Sequence, residues 1–247
     1  IHTAHANWDT ISKEEQDKLG YEKSCIITKV SATFDAHDLS KGLGLDELPL
    51  RQPASADVSR AFINHHEASH CHTHATIPHT LPVWAHESIA DVYAATKHVQ
   101  KEGDMTFPEQ WKNIRTLNLY QNDDAPHYTV PALEKALPQI EAMHDQGHLA
   151  QMSDGQIQSF AAGTVLNKTI DPYTGETVYE PKPELEEDIA QHASMADETI
   201  RDIEFAQNGN PMYRGNKKDL STTQKEGIAD FKSALSDVYH TKDKRLS

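Results

Sequence analysis

The chain has 247 residues and a formal net charge of −15, from 38 Asp and Glu against 23 Lys and Arg with its 16 His counted neutral. That length can bury one sizeable core, and the charge balance excludes nucleic acid as a partner, because nothing concentrates the positive charge that a phosphate backbone requires. No apolar run approaches the roughly 18 residues of a membrane span, and two cysteines, Cys25 and Cys71, are too few for a disulfide framework although one bridge can form.

Near the N-terminus, Ser12-Lys13-Glu14-Glu15 has capping-box spacing and Gly20 supplies a stop, which predicts a short helix. Residues 24–34 are rich in β-branched side chains and read as the best strand in the chain. Residues 35–56, with Gly42, Gly44, Pro49 and Pro53, read as a loop. A helix begins at Asp57 with Val58, Ala61 and Phe62 turned inward, and its C-terminal half carries His65-His66-Glu67-Ala68-Ser69-His70. After a stretch holding His72, His74, Pro78 and His79, a second helix is expected from about Pro82 to Glu102, before Gly103. Its apolar positions Ile89, Val92, Tyr93, Thr96 and Val99 follow the helical period, and Glu87 lies near its beginning.

Further helices are expected at about 107–119, 131–144 and 153–168, the last opened by Ser153 and Gln156 in capping-box spacing. Asp171-Pro172-Tyr173-Thr174-Gly175 is a turn signal, and residues 176–179 suit a small hairpin. A long helix over 183–207 carries the stripe Leu185, Ile189, Ala193, Ala196, Ile200 and Ile203, with Gly209 as its stop. Ser221 and Gln224 open a last helix carrying Ile228, Phe231, Leu235 and Val238, and residues 240–247 form a frayed tail. These elements predict a mainly helical α+β fold, read as a single domain over 1–247 with a helical annex over 181–247.

The chemistry concentrates in two places. Residues four apart share a helical face, so His66 and His70 can reach one metal ion while Glu67 leans toward a water on that ion. Because histidine is so frequent here, His-Glu-x-x-His alone is a weak signal. Its pairing with Glu87-Ser88-Ile89-Ala90-Asp91 strengthens it. Catalytic zinc takes three protein ligands and keeps a fourth position for water, and two imidazoles with one carboxylate is an established set. That set closes on His66, His70 and Glu87, the sixteen residues between His70 and Glu87 being enough for a turn and an antiparallel return. Asp91, one turn beyond Glu87, is placed to accept a hydrogen bond from the other nitrogen of a ligand imidazole.

Over about residues 57 to 102 this pattern resembles the gluzincin metallopeptidases, which carry His-Glu-x-x-His on one helix and a ligand Glu, often followed by Ala and Asp, on the next. The resemblance implies a zincin-like fold with a small sheet beside the metal-binding helix. It also implies zinc as cofactor, Glu67 as general base, and hydrolysis of peptide bonds in a protein or peptide substrate. No Gly-Ala-Met-Glu-Asn exopeptidase sequence is present, and an endopeptidase is favoured over an aminopeptidase. Thr73 and Thr76 stand where a metzincin would need Gly and His. An aspzincin-like site would instead take Asp171 as its third ligand.

Several residues are left with two readings. Tyr128, His127, His148 and Tyr213 are all candidates for the donor that stabilises an oxyanion. His74 lies two turns, about 12 Å, beyond His66 and cannot share its metal. Cys71 follows His70 but points about 100° away from the ligand face, which favours a buried structural thiol over a ligand. Two other function classes compete with the peptidase. One is a non-catalytic zinc- or nickel-binding protein. The other is a helical interaction protein in which the motif is accidental. The sequence begins at Ile1, not Met, without a basic-then-apolar leader, so a processed form or excised domain is expected and the compartment stays open.

Overall fold

A computed structural model describes residues 6–10, 23–27, 56–77, 81–122, 124–207 and 222–238. In chain order these form β1 (Ala6–Thr10), β2 (Lys23–Ile27), α1 (Ala56–Thr76), α2 (Val83–Glu102) and α3 (Thr106–Asn122). A short 3-10 turn at Ala125–His127 leads to α4 (Val130–Asp145), and another at Leu149–Gln151 leads to α5 (Asp154–Val165). Then follow β3 (Leu166–Ile170), β4 (Thr177–Pro181), α6 (Pro183–Gln207) and α7 (Thr222–Val238). The fold is mainly helical α+β. Among the described residues the strands pair as two antiparallel two-stranded sheets, β1 with β2 and β3 with β4.

The helix α2 forms the centre. Its apolar period predicts one buried face, yet every residue from Ser88 to Val99 is buried, including Asp91, Lys97 and His98. The difference arises because α1, α4 and α5 all pack on α2, so it has no solvent face left over that stretch. Buried Lys97 finds partners one turn along α2 and at the start of α5. Lys97 Nζ donates to Gln100 Oε1 at 2.7 Å and to Asp154 Oδ1 at 2.8 Å. Gln100 Nε2 in turn donates to the carbonyls of Leu149 and Met152, both at 2.8 Å. The helix ends where expected, at Gly103, whose φ of 66° returns its amide to the Val99 carbonyl.

The main apolar core joins Phe62 of α1, Ile89, Val92 and Val99 of α2, Leu133, Leu137 and Ile140 of α4, and Ile157 of α5. A second cluster gathers Leu119, Tyr120, Tyr128, Val130, Ile189 and Ala196, so α6 lies against α3 and the start of α4. The last helix, α7, also packs on α3, where Tyr120 Oη donates to Asp230 Oδ2 at 3.1 Å.

Local signals hold at several points and fail at one. The capping box at α5 is formed, with Gln156 N donating to Ser153 Oγ at 3.3 Å and Ser153 N to Gln156 Oε1 at 2.8 Å. The helix expected over 153–168, however, stops at Val165, and residues 166–170 are a strand paired with 177–181. Lys182 accounts for the stop: its Nζ donates to the carbonyls of Gly163 and Thr164 at 2.6 and 3.1 Å, and its amide to that of Val165 at 2.9 Å. These carbonyls are thereby satisfied without another helical turn. In the hairpin turn, Asp171 Oδ1 accepts from the amides of Tyr173 and Thr174 at 2.7 and 2.8 Å. Among the described residues Asp171 is not grouped with His66 and His70, whose third neighbouring donor is Glu87.

The strand read over 24–34 is β2 across 23–27, and 28–34 lie outside the described residues. The helix over 12–20, the loop through 35–55, Gly209, Ser221 and the tail from 240 also lie outside them. Both β1 and β2 contact α1, so a small sheet does sit beside the motif helix. Cys71 is disulfide-bonded, which corrects the expectation of a buried thiol, and the one other cysteine in the sequence is Cys25 of β2.

Burial of His98 produces an acid sensitivity remote from the motif. The residue is 4% exposed, with ring centroids 6.3 Å from Phe62 and 5.6 Å from Phe107, and its Nε2 makes no hydrogen bond. Burial holds its pKa below the ordinary value, against the opposing pull of Asp104 and Glu102. The folded state therefore favours neutral His98, while the unfolded chain takes up a proton near the ordinary histidine pKa of about 6.5. Its contribution to stability is intact above that pH and is lost as pH falls through it toward the folded value. Urea midpoints measured between about pH 7.5 and 5 should fall toward the acid end, and His98→Leu should flatten that slope.

Candidate metal centre

Helices α1 and α2 run antiparallel across the short connection between them, so the C-terminal half of α1 faces the first turns of α2. That arrangement brings the histidine pair against Glu87. His66 Nε2 and His70 Nε2 lie 3.1 Å apart. His66 Nε2 is 3.3 Å from Glu87 Oε2, and His70 Nε2 is 3.3 Å from Glu87 Oε1. The three residues offer ligand atoms all within 4.8 Å of one another and can hold a metal ion. Their side chains are 9%, 13% and 12% exposed, respectively, so the donors are largely withdrawn from bulk water.

The orientation of His66 is fixed from behind. Its Nδ1 lies 2.7 Å from Asp91 Oδ1, and since a carboxylate only accepts, the proton sits on Nδ1. In the neutral ring Nε2 is then a bare lone pair aimed at His70 Nε2 and Glu87. Two such nitrogens at 3.1 Å repel unless a proton or a metal ion lies between them and the carboxylate. Asp91 is fully buried and accepts three further bonds: Arg115 Nε at 2.7 Å, Arg115 Nη2 at 3.1 Å and Thr129 Oγ1 at 2.6 Å. Arg115 comes from α3 and Thr129 from the start of α4, so four elements meet at this carboxylate.

The electrostatics favour a cation. Burial disfavours a charged His66, but Asp91 and Glu87 outweigh it and raise the ring to about 10. Burial likewise opposes ionisation of Glu87 and Asp91. His66, His70 and Arg115 nonetheless hold Glu87 well below the usual carboxylate range, and Arg115 and His66 do the same for Asp91. Glu67 is 5% exposed on the turn between the two histidines, and its carboxylate is not among the three grouped donors. Glu87 and Asp91 carry two negative charges here, set against one positive charge on Arg115 and one on protonated His66.

The neighbouring histidines do not join this group. His65 is held neutral near 4 by burial and by Lys101 and Lys97, and His86 near 4 by burial and by His74 and His70. His74 stacks on His86 with centroids 4.9 Å apart, and His72 lies against Tyr93 at 5.9 Å.

Of the four candidate oxyanion donors, Tyr128 is 1% exposed and packs its ring against His192, 5.3 Å between centroids, in the second core cluster. His148 is exposed beyond the end of α4, and Tyr213 lies outside the described residues. His127 stands at the site. Its Nδ1 is 2.6 Å from Asp124 Oδ1, its Nε2 is 3.8 Å from Glu87 Oε2, and its side chain is 39% exposed. Sequence reasoning missed Arg115, Thr129 and Asp124, and no spacing signal could have found them, because they reach the site through tertiary packing.

Replacing Asp91 by Ala should weaken affinity for a divalent ion by roughly 10–100-fold, as expected for loss of the group that orients a ligand imidazole. Chelator competition measures this, and unchanged affinity would return Asp91 to a purely structural ion pair with Arg115. Protein-family models, curated proteins and solved structures give no match to the chain.

Proposed function

We propose that the protein is a zinc-dependent peptidase, an endopeptidase rather than an aminopeptidase, with His66, His70 and Glu87 as ligands and Glu67 as general base. The observation that carries this reading is the grouping of His66, His70 and Glu87, one ligand atom from each lying within 4.8 Å of the others. Tetrahedral zinc with bonds of about 2.0–2.2 Å needs ligand atoms roughly 3.3–3.6 Å apart; the two imidazole nitrogens lie 3.1 Å apart, and each is 3.3 Å from a different oxygen of Glu87, His66 Nε2 from Oε2 and His70 Nε2 from Oε1. In neutral His66 the proton held by Asp91 sits on Nδ1, which leaves Nε2 as the lone pair that zinc requires.

Zinc so bound supplies a water acidified toward pH 7 and a Lewis acid for the scissile carbonyl. Glu67, buried on the turn between the two histidines, would be the base that takes a proton from the attacking water and passes it to the leaving amine. His127 stands beside Glu87, but its Nδ1 proton is engaged by Asp124, which leaves Nε2 of the neutral ring an acceptor and not an oxyanion donor. Asp91 balances His66 throughout. The net charge of −15 suits neutral or basic polypeptide segments as substrates.

A non-catalytic metal-binding role is the second reading, and the low exposure of all three donors favours it. Glu67→Gln separates the two. A peptidase variant should still bind one zinc and lose at least ~100-fold in hydrolysis of a peptide library, as removal of a general base does. If zinc-loaded wild type cleaves nothing, or if the variant cleaves as wild type does, the peptidase reading fails.

A further inference from the structure

The two oxygens of Glu87 have different surroundings. Oε1 faces His70 Nε2 at 3.3 Å. Oε2 faces three nitrogens: His66 Nε2 at 3.3 Å, Arg115 Nη2 at 3.4 Å and His127 Nε2 at 3.8 Å. Arg115 has little freedom to leave this place. Its Nε and Nη2 are bonded to Asp91, its guanidinium carbon lies 5.0 Å from the centre of the Trp111 ring, and its side chain is 11% exposed.

We propose that Arg115 is a positioning residue that engages Oε2 and so makes Glu87 a one-oxygen ligand, keeping a coordination position free for water. The inference rests on the metal-binding reading above. A carboxylate bound through both oxygens takes two positions, whereas a catalytic site must keep one open. The ion pulls on both oxygens of Glu87, and only a fixed cation on the far side opposes that pull at one of them. A guanidinium can do this while still gripping Asp91, because its donors form a planar fork. An ammonium at the same place lacks that planar fork and cannot keep two bonds to Asp91 while also facing Oε2.

The test uses Co²⁺, whose visible absorption reports coordination number independently of activity. Wild type should bind one equivalent with the intense spectrum of a four-coordinate ion. Arg115→Lys keeps a charge beside buried Asp91 but loses the fork, so absorption should fall several-fold while Co²⁺ affinity stays unchanged or tightens. Arg115→Gln removes the charge and should show the same spectral loss with tighter binding. If wild type takes up no Co²⁺, the metal reading falls and this inference with it. If wild type binds and both variants keep its spectrum, or lose affinity in step with the spectrum, only the role of Arg115 is overturned. A crystal structure of the wild-type Co²⁺ protein decides the matter even if neither variant folds: one Glu87 oxygen on the ion supports the proposal, and two overturn it.

Discussion

A carboxylate with no exposure to solvent, Asp91, is the constraint around which the site is built. An ionised group in that position is tolerable only when its lone pairs are all engaged, because desolvation of a charge costs several kcal/mol before any pairing is counted. Asp91 meets that requirement with donors from three directions: an imidazole of α1, a guanidinium of α3 and a hydroxyl at the start of α4. Each of those helices is thereby held against α2 at one depth and one rotation. The same bonds that neutralise Asp91 settle which nitrogen of His66 carries its proton. Stability of the packing and chemistry of the site thus draw on one group.

Much of the candidate site was legible because its members lie on adjacent helices at helical spacing. The pair His66 and His70, the order of Glu87 and Asp91, and the stop at Gly103 depend on backbone geometry within a few residues, which sequence records directly. Arg115 and Thr129 were illegible for the opposite reason. They lie 24 and 38 residues from the carboxylate they serve, on segments whose local pattern suits any amphipathic helix start or face. His127 could be named among four candidates, but only the fold shows that it lies beside Glu87 with its Nδ1 held by Asp124. The end of α5 failed in the same way, because the lysine that satisfies its last carbonyls comes from beyond the following hairpin.

The enclosure of α2 marks a further limit of reading by period. A 3.6-residue pattern reports a contrast between faces, and here Lys97, His98 and Asp91 occupy positions that would normally face water. Their burial follows from helices arriving on every side, with Asp154, Gln100 and Arg115 as partners. Sequence shows the polar residues, but only the assembled fold shows that they are inside.

The C-terminal helices bear on the site although neither contributes a ligand. Both α6 and α7 lie against α3, and α3 is the element that delivers Arg115 to Glu87 and Asp91. Their apolar contacts through Leu119, Tyr120 and Ile189 form a backing plate for that helix. The two motif helices therefore do not make a detachable metal-binding cassette. A minimal version of this site would have to carry the far end of the chain with it, since the guanidinium is only as well placed as the scaffold behind it.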